Sequence, residues 1–548
     1  MPANPPLGSQ GMTTLVAYPP ALSADRAASA RRQVLVGAVL VQLILGTVYG
    51  YSVFWQPLES ELWPIILTEE QVASLQAAER SPPADAVIVA DSAAAARERE
   101  ARLGYLKYSF SLCLLSFAGA MLFAGRLQDV RGPRFTALLG GVILSVGFLV
   151  AGEIDHAVTL YLCHAVVIGL GVTAALAALE LAPIGPDRRR SPIVRSIPYG
   201  IMTAAIVAGI ALGERYVSHD VHGRLLLLWG TIGVLAGVGI GFAYVCPIAV
   251  LVKWFPAHKG LMSGIAVAGF GLGAYVFSQK GSLGAVGFIE AHGIKTFFTV
   301  HGLLCLVVVT FGALLLRNPP VTDRAPASRI GPAAEPADAT WRELLRSRRF
   351  YLIWMMFFSG AMAGLMVIGI LKPFAGNQLV AAAARGGSGL TDTMRNELLL
   401  QGAAAVGVLA LFNAAGRVVW GLVSDRLGRV TAMALMFALQ AITLLLLGTL
   451  ETKLQLTIGA ACVGFNFGGN FALFPSLTAD LFGAKNFGAN YAWVFTSYGV
   501  AGVIGVWVGN VAQRMTGSYF AAFAAAAALC VFSAVLAVTL RPRRAAMR

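Results

Sequence analysis

Apolar residues in this chain fall in unbroken blocks of about twenty, the length a helix needs to cross the hydrocarbon of a bilayer. Fourteen such spans occur, near residues 34–57, 105–125, 134–153, 158–182, 197–217, 224–252, 260–279, 296–316, 350–373, 399–422, 430–449, 454–475, 488–512 and 518–540. Irregular backbone cannot face lipid, so each span is predicted to be a helix. The pattern describes an all-α polytopic membrane protein with 14 transmembrane helices.

Composition sharpens this picture. Of 548 residues, 57% are apolar and 12% charged, about half the charged fraction of a soluble domain. A water-soluble globule, a disordered chain and a disulfide scaffold are excluded. Cys113, Cys163, Cys246, Cys305, Cys462 and Cys530 all lie in apolar spans, none in a CxxC pair, and read as small packing residues. The net charge of +14 would suggest nucleic acid on a soluble protein. Here the basic residues lie between spans and report topology. Alternate connections hold 26 of the 41 Lys and Arg, the others 14, and Arg417 lies within a span. The positive-inside rule then places both termini in the cytoplasm of a multi-pass inner-membrane protein. The connection 58–104, with 4 basic and 9 acidic residues, falls outside. Residues 1–33, rich in Pro, Ala and Ser and lacking a signal-peptide core, read as a disordered cytoplasmic tail, and 542–548 as a second tail.

The chain repeats itself. Gly125-Arg-Leu-Gln-Asp129-Val-Arg-Gly132-Pro-Arg134 matches Gly421-Leu-Val-Ser-Asp425-Arg-Leu-Gly428-Arg429 at an offset of 296 residues. Pro247, Phe255, Lys259 and Gly260 match Pro475, Phe482, Lys485 and Gly488 in a second pair of segments, beginning 228 residues apart. The first half therefore carries 68 additional residues, the length of 155–222, which contains two spans. A two-helix hairpin with its cytoplasmic turn at Asp187-Arg-Arg-Arg190 is thus predicted within a twelve-helix, two-half plan. The N-terminal bundle covers 34–317, a cytoplasmic linker 318–349 with a short interfacial helix at 341–349, and the C-terminal bundle 350–541.

Two tandem bundles suggest alternating access around a midplane site. In the repeated loops the glycines permit a tight turn. The carboxylates Asp129 and Asp425 can sit at a helix terminus or pair with Arg131, Arg134, Arg426 or Arg429, forming a latch in one state. A plain polar turn is the alternative, and recurrence at corresponding places favours the latch. Arg417 lies eight residues before Asp425, about 12 Å along a helix. Placing a charge near mid-span costs about 2.5–3.5 kcal/mol on insertion scales. Its guanidinium fork suits a carboxylate; snorkelling to the cytoplasm is the competing role. Tyr49, Tyr244 and Tyr275 offer rings and hydroxyls to a cavity, or else serve as an interfacial anchor (Tyr49) and bundle packing (Tyr244, Tyr275). Gly237, Gly239, Gly241, Gly269, Gly271 and Gly273 lie in apolar spans with no preceding strand, so they read as helix-contact faces, not a dinucleotide loop. His164 and His301 read as packing residues. The sequence has no nucleophile triad, metal cluster or phosphate loop, so neither an enzyme nor a bound cofactor is expected.

Both repeated loops resemble the signature loop between the second and third helices of each half in the major facilitator superfamily. The first copy departs from that pattern, with Val130 where an Arg is usual. Tyr49-Gly-Tyr-Ser-Val-Phe54-Trp-Gln-Pro57, Gly239-Ile-Gly-Phe-Ala-Tyr244-Val-Cys-Pro247, Lys253-Trp-Phe-Pro256, Gly269-Phe-Gly-Leu-Gly273-Ala-Tyr275, Gly468-Gly-Asn-Phe-Ala-Leu-Phe-Pro475, Asp480-Leu-Phe-Gly483 and Asn490-Tyr491 resemble the oxalate/formate antiporter family and its monocarboxylate-carrier relatives. The resemblance implies a major-facilitator fold, two six-helix bundles plus the inserted hairpin, with Arg417 binding substrate carboxylate and Tyr49, Tyr244 and Tyr275 near it. The family's oxalate carriers add a Lys on the penultimate helix; Tyr498 aligns there, leaving one fixed cation. The function implied is secondary transport of small carboxylates, monocarboxylates favoured, by a monomer, as an antiporter with a counter-anion or as a proton symporter. An oxalate/formate exchanger and a non-transporting membrane sensor are the alternatives. Reporter fusions test the topology: those at Arg190 and Arg548 should read cytoplasmic and one at Asp85 extracytoplasmic, and an external reading at Arg190 removes the hairpin.

Overall fold

The computed structural model describes residues 24–153, 221–277, 284–320, 338–385, 391–401 and 404–540. Among them, twelve helices are long and apolar enough to cross a membrane. They match the spans expected outside 155–222; the two spans of the inserted hairpin, 158–182 and 197–217, lie outside the described residues.

In the first half, α1 (Ala24–Leu45) tightens into 3-10 turns over Gly46–Phe54, and α2 (Trp55–Leu62) follows. Next come α3 (Glu69–Ala77), α4 (Ser92–Arg131) and α5 (Pro133–Gly152). After them, α6 (Val221–Leu228) runs through wide π turns into α7 (Ala236–Trp254), then α8 (Lys259–Phe277) and α9 (Ala285–Leu315). The second half has a short α10 (Trp341–Arg346), then α11 (Arg348–Arg385), α12 (Asp392–Gln401), α13 (Ala404–Leu427) and α14 (Arg429–Leu447). It closes with α15 (Lys453–Phe482), α16 (Phe487–Thr516) and α17 (Phe520–Thr539).

The all-helical expectation needs one correction. Within 58–104, β1 (Ile66–Thr68) and β2 (Val87–Val89) form a parallel pair, Ile66 opposite Val87. Both are short runs rich in β-branched residues, which favour strands, and too brief to stand out beside spans of twenty. This connection is folded throughout. A capping box between Thr68 and Gln71 starts α3. The Asp91 carboxylate accepts the Ala94 amide at 2.7 Å and starts α4 thirteen residues before the expected span. Arg102 is 3% exposed and ties the layer together, donating to the Pro64 carbonyl at 2.7 Å and pairing with Glu98 at 3.1 Å and Glu59 at 3.6 Å.

The apolar periphery is what a bilayer demands. α9 presents Leu303, Leu304, Val307, Phe311 and Leu314 outward, and α14 and α17 present similar rows. Buried faces are made instead from small residues. Pro247 in α7 and Pro475 in α15, the pair found in the repeat, each sit inside a helix; packed neighbours make this tolerable in a membrane.

The repeat becomes a pseudo-two-fold interface. α4 packs on α16 and α8 on α13, pairs that the repeat interchanges. At one end of each seam two glycine backbones touch: a methyl group on Gly125 would strike the Gly488 carbonyl, and one on Gly421 the Gly260 carbonyl. This end also carries the turns at Gly132 and Gly428, with φ of +91° and +84°, which favour glycine; it is called the latch end below. Gly125→Val and Gly421→Val should each wedge the halves apart there, at a cost of about 1–3 kcal/mol. Tm in detergent should fall by a few degrees. Ser263→Cys, buried in the α8 seam, should label with maleimide only in those backgrounds. An unchanged Tm with no added labelling would show that the seam is not the closing contact.

Candidate functional site

Arg417 sits midway along the α8–α13 seam. Its backbone is squeezed between Gly264 of α8 and Gly468 of α15, where a methyl group on either glycine would collide with α13. The side chain is 0% exposed, so it does not reach the membrane surface. Its Nε donates to Asn413 Oδ1 at 2.9 Å, one turn back. Its Nη1 donates to the Val267 carbonyl at 2.6 Å, across the interface in the other half. The guanidinium carbon lies 4.4 Å from the centre of the Phe471 ring and 5.7 Å from that of Phe270. Nη2 is buried with no hydrogen-bond partner among the described residues, and no carboxylate among them forms an ion pair with Arg417. A buried cation so placed can take one anionic oxygen on Nη2, and a second if Nη1 releases its carbonyl.

Those two rings, Phe270 and Phe471, belong to an aromatic cluster built from both halves. Tyr244 of α7 contacts Phe117, Phe270 and Phe495 at 5.0, 5.3 and 5.4 Å between ring centres. Tyr498 of α16 contacts Phe495 and Phe471 at 4.9 and 5.4 Å. Phe270 and Phe471 therefore link the two tyrosines to the guanidinium. Tyr244 and Tyr498 are fully buried, and the Tyr244 carbonyl accepts from Gln42 of α1 at 3.0 Å. Tyr275 is half-buried on α8, five residues beyond Phe270 and so about 7.5 Å farther along the helix. Tyr49 lies in the 3-10 stretch Gly46–Phe54; its side chain is outside the described residues. The sequence reading missed Phe117, Phe270, Phe471, Phe495 and Asn413. Phe270 and Phe471 were visible inside the glycine runs at 269–273 and 468–475, whose spacing shows only which faces touch neighbours.

At the latch end the carboxylates of the repeated loops bond the N-termini of helices in the opposite half. Asp129 accepts the Ala489 amide at 2.9 Å and the Gly488 amide at 3.3 Å, at the start of α16. Asp425 accepts the Leu261 amide at 2.8 Å and the Gly260 amide at 3.0 Å, at the start of α8. Each carboxylate thus satisfies orphan amides and faces the positive pole of a helix in the opposite half. The balancing cations differ. Arg429 bonds Asp425 at 2.6 Å and Asp480 at 2.9 Å, and Lys259 reaches Asp480 across the interface at 2.7 Å. In the first half Pro133 holds the place of Arg429, and Lys253 supplies the cation to Asp129 at 3.4 Å. Arg134 turns away to donate to the Leu316 carbonyl at 2.8 Å; Arg131 and Arg426 are exposed. His301 is buried in the first bundle, its Nε2 3.2 Å from Thr47 Oγ1 and its ring packed on Phe148; His164 is outside the described residues. No group of three or more His, Cys, Asp or Glu among the described residues could hold a metal.

Comparison with known proteins agrees with this architecture. The family model for the Major Facilitator Superfamily matches residues 187–384 and 391–548. The chain is 28% identical over 307 residues to an uncharacterized MFS-type transporter, YhjX, of Escherichia coli, covering 56% of this chain and 70% of that protein. It is 30% identical over 273 residues to the oxalate:formate antiporter of Oxalobacter formigenes, covering 50% and 59%. It is 29% identical over 316 residues to apicoplast pyruvate carrier 1 of Toxoplasma gondii, covering 48% and 56%. Against the last two the alignment thus spans under two thirds of the relative. Among solved structures, the proton:xylose symporter XylE superposes with a TM-score of 0.51 at 13% identity, covering 94% of this chain and 97% of that one, a likeness of fold alone. With twelve candidate spans among the described residues, carboxylate loops related by the repeat and a family model matching most of its length, the chain belongs to the Major Facilitator Superfamily.

Proposed function

We propose that this chain is a secondary transporter that carries small carboxylates, monocarboxylates ahead of dicarboxylates, by alternating access around Arg417. The observation that carries this reading is the buried guanidinium at the junction of the halves, with a free donor nitrogen and no carboxylate partner among the described residues. The oxalate:formate antiporter and the pyruvate carrier among its relatives support the substrate class. In this reading Tyr244 and Tyr498 wall the site, while Tyr49 and Tyr275 line its approach. Asp129 and Asp425, with Arg429, close the latch end, and Arg131, Arg134 and Arg426 hold the turns at the polar surface. The protein works as a monomer in the inner membrane with both termini and the latch end cytoplasmic. Asn413, the partner of Arg417 on its own helix, is a neutral amide. It cannot load and unload a proton near neutral pH, so a symported proton would have to ride on the substrate or on another group, whereas exchange of one anion for another needs no such group.

Arg417→Gln removes the charge and the fork. Hydrogen bonds to a charged group are worth about 1.5–3 kcal/mol each, so uptake of formate, lactate or pyruvate into liposomes should fall at least about tenfold with protein still in the membrane. Arg417→Lys keeps the charge without the paired donors and should be partly active at best. Full transport by Arg417→Gln would reduce this residue to a structural pin.

Substrate charge gives the second test. Oxalate carries two negative charges at neutral pH, and Arg417 balances one. An uncompensated charge in a dry site costs several kcal/mol, while about 1.4 kcal/mol already separates substrates tenfold. Monocarboxylates should therefore outcompete oxalate by at least about tenfold. Tyr498→Lys should move the preference toward oxalate. Strong oxalate uptake by wild type at neutral pH, unaffected by collapse of the proton gradient, would defeat the charge count.

A further inference from the structure

The linker's last residues do more than connect the halves. Asp338 and Ala339 clasp the turn between α15 and α16. Ala339 N donates to the Phe482 carbonyl at 3.0 Å, and Lys485 N donates to Asp338 Oδ1 at 3.1 Å. The Asn486 amide reaches the Asp338 and Ala339 carbonyls at 3.4 and 3.2 Å, and the buried Asn490 amide reaches the Ala339 carbonyl at 2.8 Å. Trp341 stacks on Trp493 at 5.9 Å. The same turn offers Gly488 and Ala489 to Asp129. Whatever holds α10 in place therefore holds one latch.

α10 is pinned to the protein from below and charged above. Leu344 is fully buried, and a capping box between Thr340 and Glu343 starts the helix. Arg342 and Arg346, one turn apart on one face, are exposed, as are Arg348 and Arg349 where α11 begins its membrane span. The hydroxyl of the exposed Tyr351 donates back to the Leu345 carbonyl at 3.0 Å, fixing the bend between the two helices. Among the described residues none of the four arginines has a carboxylate within ion-pair distance. Glu343 is the carboxylate nearest in effect. Hydrogen bonds from the Thr340 backbone and hydroxyl hold it below the usual range, with Arg346 adding a smaller pull. Four exposed guanidinium forks without an ion-pair partner among the described residues, Arg342 resting over the Trp341 ring at 5.2 Å, stand at the edge of a span and match anionic headgroup phosphates.

We propose that α10 and the start of α11 form a docking face for anionic phospholipid headgroups, and that lipid seated there steadies, through the Asp338–Ala339 clasp, the turn that receives Asp129. Arginines that only orient a neighbouring span would need neither a rigid helix nor a bonded link to the latch.

The test uses the full-length protein in detergent with equimolar phosphatidylglycerol and phosphatidylcholine, and native mass spectrometry to count retained lipid. Wild type should retain phosphatidylglycerol preferentially. The double variant Arg342→Gln, Arg346→Gln should lose that preference by at least about fivefold, and the double Lys variant should keep it. Arg385→Gln, which breaks the exposed pair with Glu451 elsewhere on the chain, should change nothing. High salt should abolish the preference in wild type, a readout that needs no variant, whereas millimolar glycerol phosphate should not displace the lipid. Equal retention by wild type and the Gln variant, equal loss in Arg385→Gln, or displacement by glycerol phosphate would overturn a lipid site. In nanodiscs, amide exchange over 486–491 should slow with phosphatidylglycerol relative to phosphatidylcholine in wild type. Exchange independent of lipid would overturn the coupling to the latch. Neither readout depends on which anion is carried.

Discussion

A guanidinium buried in the membrane is costly, by about 2.5–3.5 kcal/mol even on insertion scales; Arg417 has no carboxylate partner among the described residues, and its surroundings are arranged to hold it. Asn413 and the Val267 carbonyl take two of its donors, and Phe471 and Phe270 present their ring faces. These partners can reach Arg417 only because Gly264 and Gly468 let α8 and α15 press against α13 from both sides. A larger residue at either glycine would push a helix outward and leave the charge beside an empty gap. The glycine seams and the charged site are therefore one construction. Toward the latch end Gly260 and Gly421 continue the same seam.

The carboxylates of the two repeated loops follow a related economy. Asp129 and Asp425 bind backbone amides rather than side chains of the opposite half. Such donors keep their position whatever the surrounding sequence, so two halves that have diverged can retain the same closing contact. What diverges is the counter-charge. Lys253 serves Asp129, whereas Arg429 joins Asp425 to Asp480 and, through it, to Lys259 in the first half. The second latch spans the interface by both amide and ion-pair bonds; the first relies on amides across the interface and on the clasp behind its turn.

Much of the fold was legible because a bilayer imposes a length and the sequence repeats. The spans outside 155–222 correspond to the helices observed, and the offsets between motifs identified α4 with α13 and α8 with α16 before any packing was known. The boundaries were not legible. α4 begins at Ser92 and α11 runs to Arg385, well past the apolar blocks, since a helix continues into water wherever capping and packing allow. The β1–β2 pair was hidden in a stretch that reads as acidic surface, organised around the buried Arg102 that composition alone cannot distinguish from its exposed neighbours. In the candidate site, Arg417 was legible because a lone charge in an apolar span is conspicuous. Phe270 and Phe471 were not: thirty phenylalanines are scattered along the chain, and only the fold says which two face a cation. Asn413 was missed for a different reason, since a neutral amide one turn from Arg417 acquires meaning only when the rotamer carries Nε to it.

The Val267 carbonyl gives the proposed cycle its logic. It belongs to α8, and its bond to Arg417 joins the halves at the same seam that Asp425 closes farther along. On the carrier reading, a carboxylate that takes both terminal nitrogens of the fork must displace this carbonyl. Binding would then trade a bond between halves for a bond to the ligand. The cation changes from a pin that holds α8 against α13 into the floor of a loaded site, with the latch end left resting on its carboxylate–amide contacts. A ligand alters a conformational balance only by bonding differently in the two states. Competition for one guanidinium supplies that difference at the interface itself, without a signal carried through either bundle.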